Sequence, residues 1–193
     1  MSQAPETGQP PRYNRSFGGL AGSMIVLVLV VLGIVVFRAA FRSTPTYEPD
    51  PVDYRALVAS LQENGLSPAY PASLPDGWFV KDATFKPGER PVLDLALTTS
   101  DDHFAGIHEE DEDVDTLVDT YVGTDATEGD TVAVDSAAAP RWRTFSDPGG
   151  DHAYAAELGN QTVLVYGSAP DDELRTLVES LTTAKLAPSS SDS

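Results

Sequence analysis

The stretch "HFAGIHEEDEDVD", residues 103–115, gathers the side chains best suited to chemistry: His103 and His108 with Glu109, Glu110, Asp111, Glu112, Asp113 and Asp115. Carboxylates at alternate positions are the opening of a calcium loop, and Asp111, Asp113 and Asp115 match it. The pattern then breaks. The sharp-turn glycine would fall at Thr116 and the bidentate glutamate at Val122. What survives is low-affinity divalent binding, with Glu109, Asp111 and Asp113 as candidate ligands. The simpler role for these acids is to favour the positive end of a helix that begins here. His103 and His108 are five apart, so a strand would point them to opposite faces.

Nucleophilic chemistry has one foothold. Ser168 follows Gly167 in "YGSAP", but the G-x-S-x-G pattern of a nucleophile elbow is absent, with Pro170 two places on where a glycine belongs. A serine at such a junction suits an N-cap. His152 beside Asp151 belongs to a hairpin turn. Acids are so abundant that a glycosidase-like carboxylate pair gains nothing from their number. No phosphate-cradling glycine loop occurs, and no cofactor is expected. The one basic, aromatic patch is "RWRTF". With Trp142 inward, Arg141 and Arg143 share the other face, either bridging to nearby acids or docking an acidic partner. Trp78, past the turn in "SLPDGW", is read as core.

These residues need elements to hold them. Tyr54, Leu57, Val58 and Leu61 make one helical stripe, with Asp50 as expected cap and Asn64-Gly65 as stop. "SPAYPASLPDG" reads as a turning loop. "WFVKDATF", "PVLDLALTTS" and "HFAGIHEE" read as strands. Val114, Leu117, Val118 and Tyr121 make a second stripe, ended by Gly123. "DTVAVDS", "RWRTFS", "HAYAAELG" and "QTVLVYG" are four more strands, with "DPGGD" and "GN" as hairpin turns. "SAPDDELRTLVESLTTAKL" closes as a helix capped by Ser168 or Ala169. Tight hairpins imply antiparallel pairing, so the expected class is α+β: one antiparallel sheet of about seven strands with two or three helices packed on it.

A different element governs location. Between Arg15 and Arg38 there is no charged side chain, and from Met24 to Phe37 nearly every residue is apolar, on all faces. As a helix the whole uncharged run, residues 16–37, spans about 33 Å against a bilayer core of about 30 Å. It is too long for a signal-peptide core, and cleavage after Ala40 would leave Arg38 where a small residue belongs. The reading is a permanent transmembrane helix. The first 42 residues hold four arginines against Glu6, a net +3; the rest holds 29 acids against eight bases, a net −21. Flanking arginines nearly tie, but long domains translocate largely regardless of charge. The expectation is therefore a disordered cytoplasmic tail (1–15), a transmembrane helix (16–37), a Pro-rich stalk (38–50), an extracytoplasmic α+β domain (51–187) and a loose tail (188–193). Gly18 and Gly22 form a small-residue face through which two such helices could pair as a homodimer.

There is no cysteine, so no disulfide and no thiol-ligated metal. A domain this acidic repels phosphates, so nucleic acid is not an expected partner. "RSFGGLAGSM", "YPASLPDGW", "FKPGERP", "TYVG", "WRTFSDPGGD" and "AAELGNQTVLVYGSAPDDELRTLVESL" together resemble a family of bacterial single-pass membrane proteins built around a domain of unknown function. That resemblance implies a high-GC Gram-positive envelope protein and brings no activity or catalytic residue with it. The order of helix, meander, helix, hairpins and helix is similar, at fold level, to the Mog1/PsbP-like folds. The expected partners are the bilayer and an envelope protein, lipid-linked precursor or wall ligand. The rival expectation is a tethered hydrolase with acids around His103, His108 or His152.

Overall fold

The computed structural model describes residues 52–186. The expected transmembrane helix with Gly18 and Gly22, both tails and the stalk lie outside the described residues. No helix among the described residues is long and apolar enough to cross a membrane.

Helix α1, Tyr54–Glu63, buries Tyr54, Val58 and Leu61. Its cap is Asp53, not Asp50: the Asp53 carboxylate accepts the N–H groups of Arg55 at 3.1 Å and Ala56 at 3.2 Å. The cause lies one residue earlier. The Val52 N–H donates to the Val80 carbonyl at 2.9 Å, which keeps the chain on the sheet edge until Asp53. Gly65, at φ +85, closes the helix, and the Leu66 N–H returns to the Leu61 carbonyl at 3.0 Å.

The "SPAYPASLPDG" stretch is more than a loop. Strand β1, Tyr70–Pro71, pairs antiparallel with a strand at the far end of the chain. Then come β2 (Phe79–Lys86), β3 (Val92–Thr98), β4 (Phe104–Glu110), helix α2 (Val114–Tyr121), β5 (Thr127–Ala133), β6 (Arg141–Ser146), β7 (His152–Leu158) and β8 (Gln161–Gly167). Helix α3, Asp171–Ser180, gives way to β9, Leu181–Thr182, the partner of β1. The closing helix is thus shorter than its sequence suggests: β-branched Thr182 pairs as strand instead of extending it. Neither Ser168 nor Ala169 caps it. Pro170 holds that position, while Ser168 Oγ accepts the Phe104 N–H at 3.3 Å and the Ala169 N–H donates to the Phe104 carbonyl at 3.0 Å.

The main sheet is antiparallel throughout, in the order β2-β3-β4-β8-β7-β6-β5. Three helices with one seven-stranded sheet make the α+β class. After β4 the chain crosses by α2 to the far edge and meanders back, so β8 closes on β4. Alternation sends each strand's side chains to two cores. On one face Leu93, Leu95, Leu97, Ile107, Trp142 and Val165 pack under α1 and α3. On the other, Phe145, Ala153, Ala155 and Leu164 pack under Val114, Leu117 and Val118 of α2. The sheet is the middle layer, and β4 and β8 at its centre are covered on both sides.

Candidate functional site

Strand β4 carries most of the charged chemistry into the interior because its period-2 alternation continues through "GIHEE". Ile107 and Glu109 face α1 and α3; Gly106, His108 and Glu110 face α2.

On the α2 face, His108 is fully buried. It sits directly across from Asp94 on β3. Its Nδ1 lies 2.6 Å from Asp94 Oδ1 and its Nε2 3.3 Å from Glu110 Oε2. The Tyr121 ring, from the last turn of α2, tilts over the imidazole at 4.2 Å between centroids, and Tyr166 packs on Tyr121 at 5.2 Å. Burial, then the charges of Asp94 and Tyr121, push the Tyr166 phenol up to about 12. Burial, Asp94 and Glu110 likewise raise Tyr121. Tyr166 can lie here because its cross-strand neighbour is Gly106; a Cβ at Gly106 would come within 2.6 Å of the Tyr166 ring. Both imidazole nitrogens are occupied and the ring is sealed, so this network anchors α2 to the sheet and offers no open reactive atom.

On the opposite face, Glu109 is also buried, at 8% exposure. Its Oε2 accepts the Ala69 N–H at 2.7 Å. Among the described residues its other oxygen has no protein donor. Burial pushes the Glu109 carboxyl up to about 7, with the Ala69 hydrogen bond and His108 pulling the other way. This carboxyl lines a groove of about 380 Å³. Its apolar walls are Leu61 of α1, Leu66 just past that helix, Phe85 of β2, Leu93 of β3 and Leu158 of β7. Ser67, Asn160 and Gln161 add neutral polar groups, and no basic side chain lines it. The strand ends meet here because β2, β3, β4, β7 and β8 all present the same end of the sheet to the α1–β1 connection. A hollow of mixed lining, aliphatic and aromatic walls beside a few polar groups and a perturbed carboxyl, has the form of a ligand site.

A second, shallower hollow of about 540 Å³ lies near Asp102, His103 and Phe104. There His103 Nδ1 and Glu173 Oε2 stand 3.6 Å apart, both sealed and without a hydrogen-bond partner.

The residues singled out by sequence scatter. Glu109 is buried in the groove, Asp111 lies 3.5 Å from Asn160 Nδ2 at the turn between β7 and β8, and Asp113 precedes α2. Among the described residues no three acidic or histidine side chains converge as metal ligands. Arg90 instead gathers this loop, bonding the Asp111 carbonyl and Glu112 Oε2, the latter at 2.7 Å. Trp142 is fully buried, with its indole N–H donating to the Ala139 carbonyl at 2.9 Å. Arg143 is committed to Glu128 at 2.7 Å and Asp115 at 2.9 Å, and lies over the Phe145 ring; Arg141 stays exposed. The histidines sit apart, His108 against α2, His103 against Glu173 of α3 and His152 at the start of β7. The groove itself escaped the sequence because five separate segments build it. Its one legible signal was Glu109, an acid at an inward position two residues after Ile107.

No curated protein matches the chain in sequence. A family model does, beginning at residue 12, ahead of the apolar run, and ending at residue 181, on β9. Spanning the whole sheet and all three helices, that match makes the chain a member of the family described as protein of unknown function (DUF4245).

Proposed function

We propose that the chain is a membrane-anchored, extracytoplasmic binding protein whose ligand enters the Glu109 groove. One observation carries the binding reading: a hollow walled by leucines and Phe85 that includes a buried carboxyl, one of whose oxygens has no protein donor among the described residues. The anchor rests on the apolar run 16–37, and the outward domain on the contrast between +3 before residue 43 and −21 after it. A place in the envelope of a high-GC Gram-positive bacterium and kinship with Mog1/PsbP-like folds belong to the same proposal, supported by motif and element order. A tethered hydrolase would need a base and nucleophile together in an open pocket. His108 is sealed and the histidines do not meet, so the geometry favours binding over catalysis.

Two measurements test this. Protease added to intact protoplasts should digest residues 43–193 and spare the anchor; full protection would reverse the topology. A mixed set of small neutral and charged aliphatic compounds should shift the methyl resonances of Leu61, Leu66, Leu93 and Leu158. Shifts confined to the α2 face, or none at all, would remove the groove as the site.

A further inference from the structure

The groove has one strong polar group, and its surroundings define what that group can accept. Glu109 Oε2 is taken by the Ala69 N–H, which leaves the other oxygen as an acceptor at the base of the hollow. No lysine, arginine or histidine lines the walls to neutralise it. Arg90, close in sequence, is committed to the Asp111 carbonyl and Glu112. The walls of Leu61, Leu66, Phe85, Leu93 and Leu158 suit hydrocarbon, and Asn160 and Gln161 stand beside them. Beyond the groove, the chain after residue 42 carries a net −21, a field that draws cations in and turns anions away.

We infer that the groove takes the ammonium end of an aliphatic amine, with the nitrogen donating to Glu109 and the carbon chain lying along the leucines. This rests on the binding reading above and names its ligand class. Above about pH 7, where Glu109 is ionised, it excludes anionic ligands, phosphorylated lipids and acidic polymers among them, because a second negative group would face an unneutralised carboxylate. An ammonium supplies the missing donor and the missing positive charge together, forming a charge-assisted hydrogen bond in a partly desolvated site.

The test uses the full-length chain in detergent micelles at about pH 8, where Glu109 is ionised, with leucine methyl groups followed by NMR during titration with pentylammonium, 1-pentanol and pentanoate. Pentylammonium should shift the groove leucines and bind at least tenfold more tightly than pentanol, while pentanoate should leave them unmoved. Glu109→Gln should lower pentylammonium affinity to that of pentanol and leave pentanol unchanged. Leu66→Trp, which fills the hollow, should abolish both. Equal binding of alcohol and ammonium, or an ammonium affinity untouched by Glu109→Gln, overturns the amine assignment while leaving the groove as a binding site. Tighter binding of pentanoate overturns it with the opposite sign. Groove methyls unmoved by all three probes would sink the groove reading as well.

Discussion

Glu109 is where a single side chain sets a property of the whole fold. Its carboxyl is raised from an ordinary 4.5 to about 7, chiefly by burial. Below about pH 4.5 folded and unfolded chains both hold this proton; between there and 7 the folded chain holds it more firmly; above 7 neither does. The folded state binds more protons across that window, so stability falls as pH rises through it and then levels off. The shift corresponds to roughly 3 kcal/mol as an upper bound. Glu109→Gln, close in shape to the protonated acid, should lose this component. Denaturant melts of variant and wild type from pH 4 to 8 should therefore diverge in the variant's favour as pH rises; parallel curves would mean that Glu109 is well solvated. Trp142 gives a second residue-scale test. Its ring is fully buried, so Trp142→Ala should cost about 3–5 kcal/mol, while Arg141→Ala on the exposed face should cost under about 1. A harmless Trp142→Ala in equilibrium denaturation would place the ring outside the core and restore "RWRTF" as a docking patch.

Among the elements, the junction from β8 into α3 is the most constrained. Gly167 has φ +145, and a Cβ there would lie 2.3 Å from the Phe104 carbonyl oxygen. The backbones touch because Ser168 and Ala169 are both stitched to Phe104, which fixes where α3 starts. Gly167→Ala should destabilise by about 2 kcal/mol or more, from strained backbone and overpacking together. Thermal unfolding of this variant beside Gly150→Ala would check it. Gly150 also has positive φ, at +99, but open space around its missing Cβ, so a cost equal to that of Gly167→Ala would show that backbone strain alone matters there. Most of the elements were legible because their signals are local. Alternating leucines wrote β3, the stripe at 114, 117 and 118 wrote α2, and Gly159-Asn160 wrote the tight turn from β7 to β8. The misses were non-local. Asp53 became the α1 cap because Val52 is held by Val80, and Leu181–Thr182 left the helix because Tyr70–Pro71, over a hundred residues away, pairs with them. The groove failed to show for the same reason, since no window of sequence contains both Leu61 and Leu158.

At the scale of the molecule, the described fold stands on packing with no covalent brace. The chain has no cysteine, and among the described residues no acidic cluster is arranged to hold a metal. Two cores on either side of one sheet supply the burial, with Trp142, Leu95, Ile107 and Leu177 in one and Leu164 and Leu117 in the other. The sheet's open edges are managed by charge and cover. The β5 edge carries Glu128 and Asp130 in a strand exposed along most of its length, and β2 is met by the Val52 N–H. The β1–β9 pair ties the connection after α1 to the chain beyond α3, so both ends of the fold are fastened to each other. The apolar faces of the three helices in residues 52–186 thus have partners within those residues. A chain begun at Ser43 should accordingly be soluble and fold cooperatively, with a stability in the usual range of about 5–15 kcal/mol. Its unfolding midpoint should not move with reductant or with chelator. A chelator-induced fall would return the acids from Glu109 to Asp113 to consideration as metal ligands. Failure of the truncated chain to fold, set against a folded full-length protein in micelles, would show that residues before 43 complete the core.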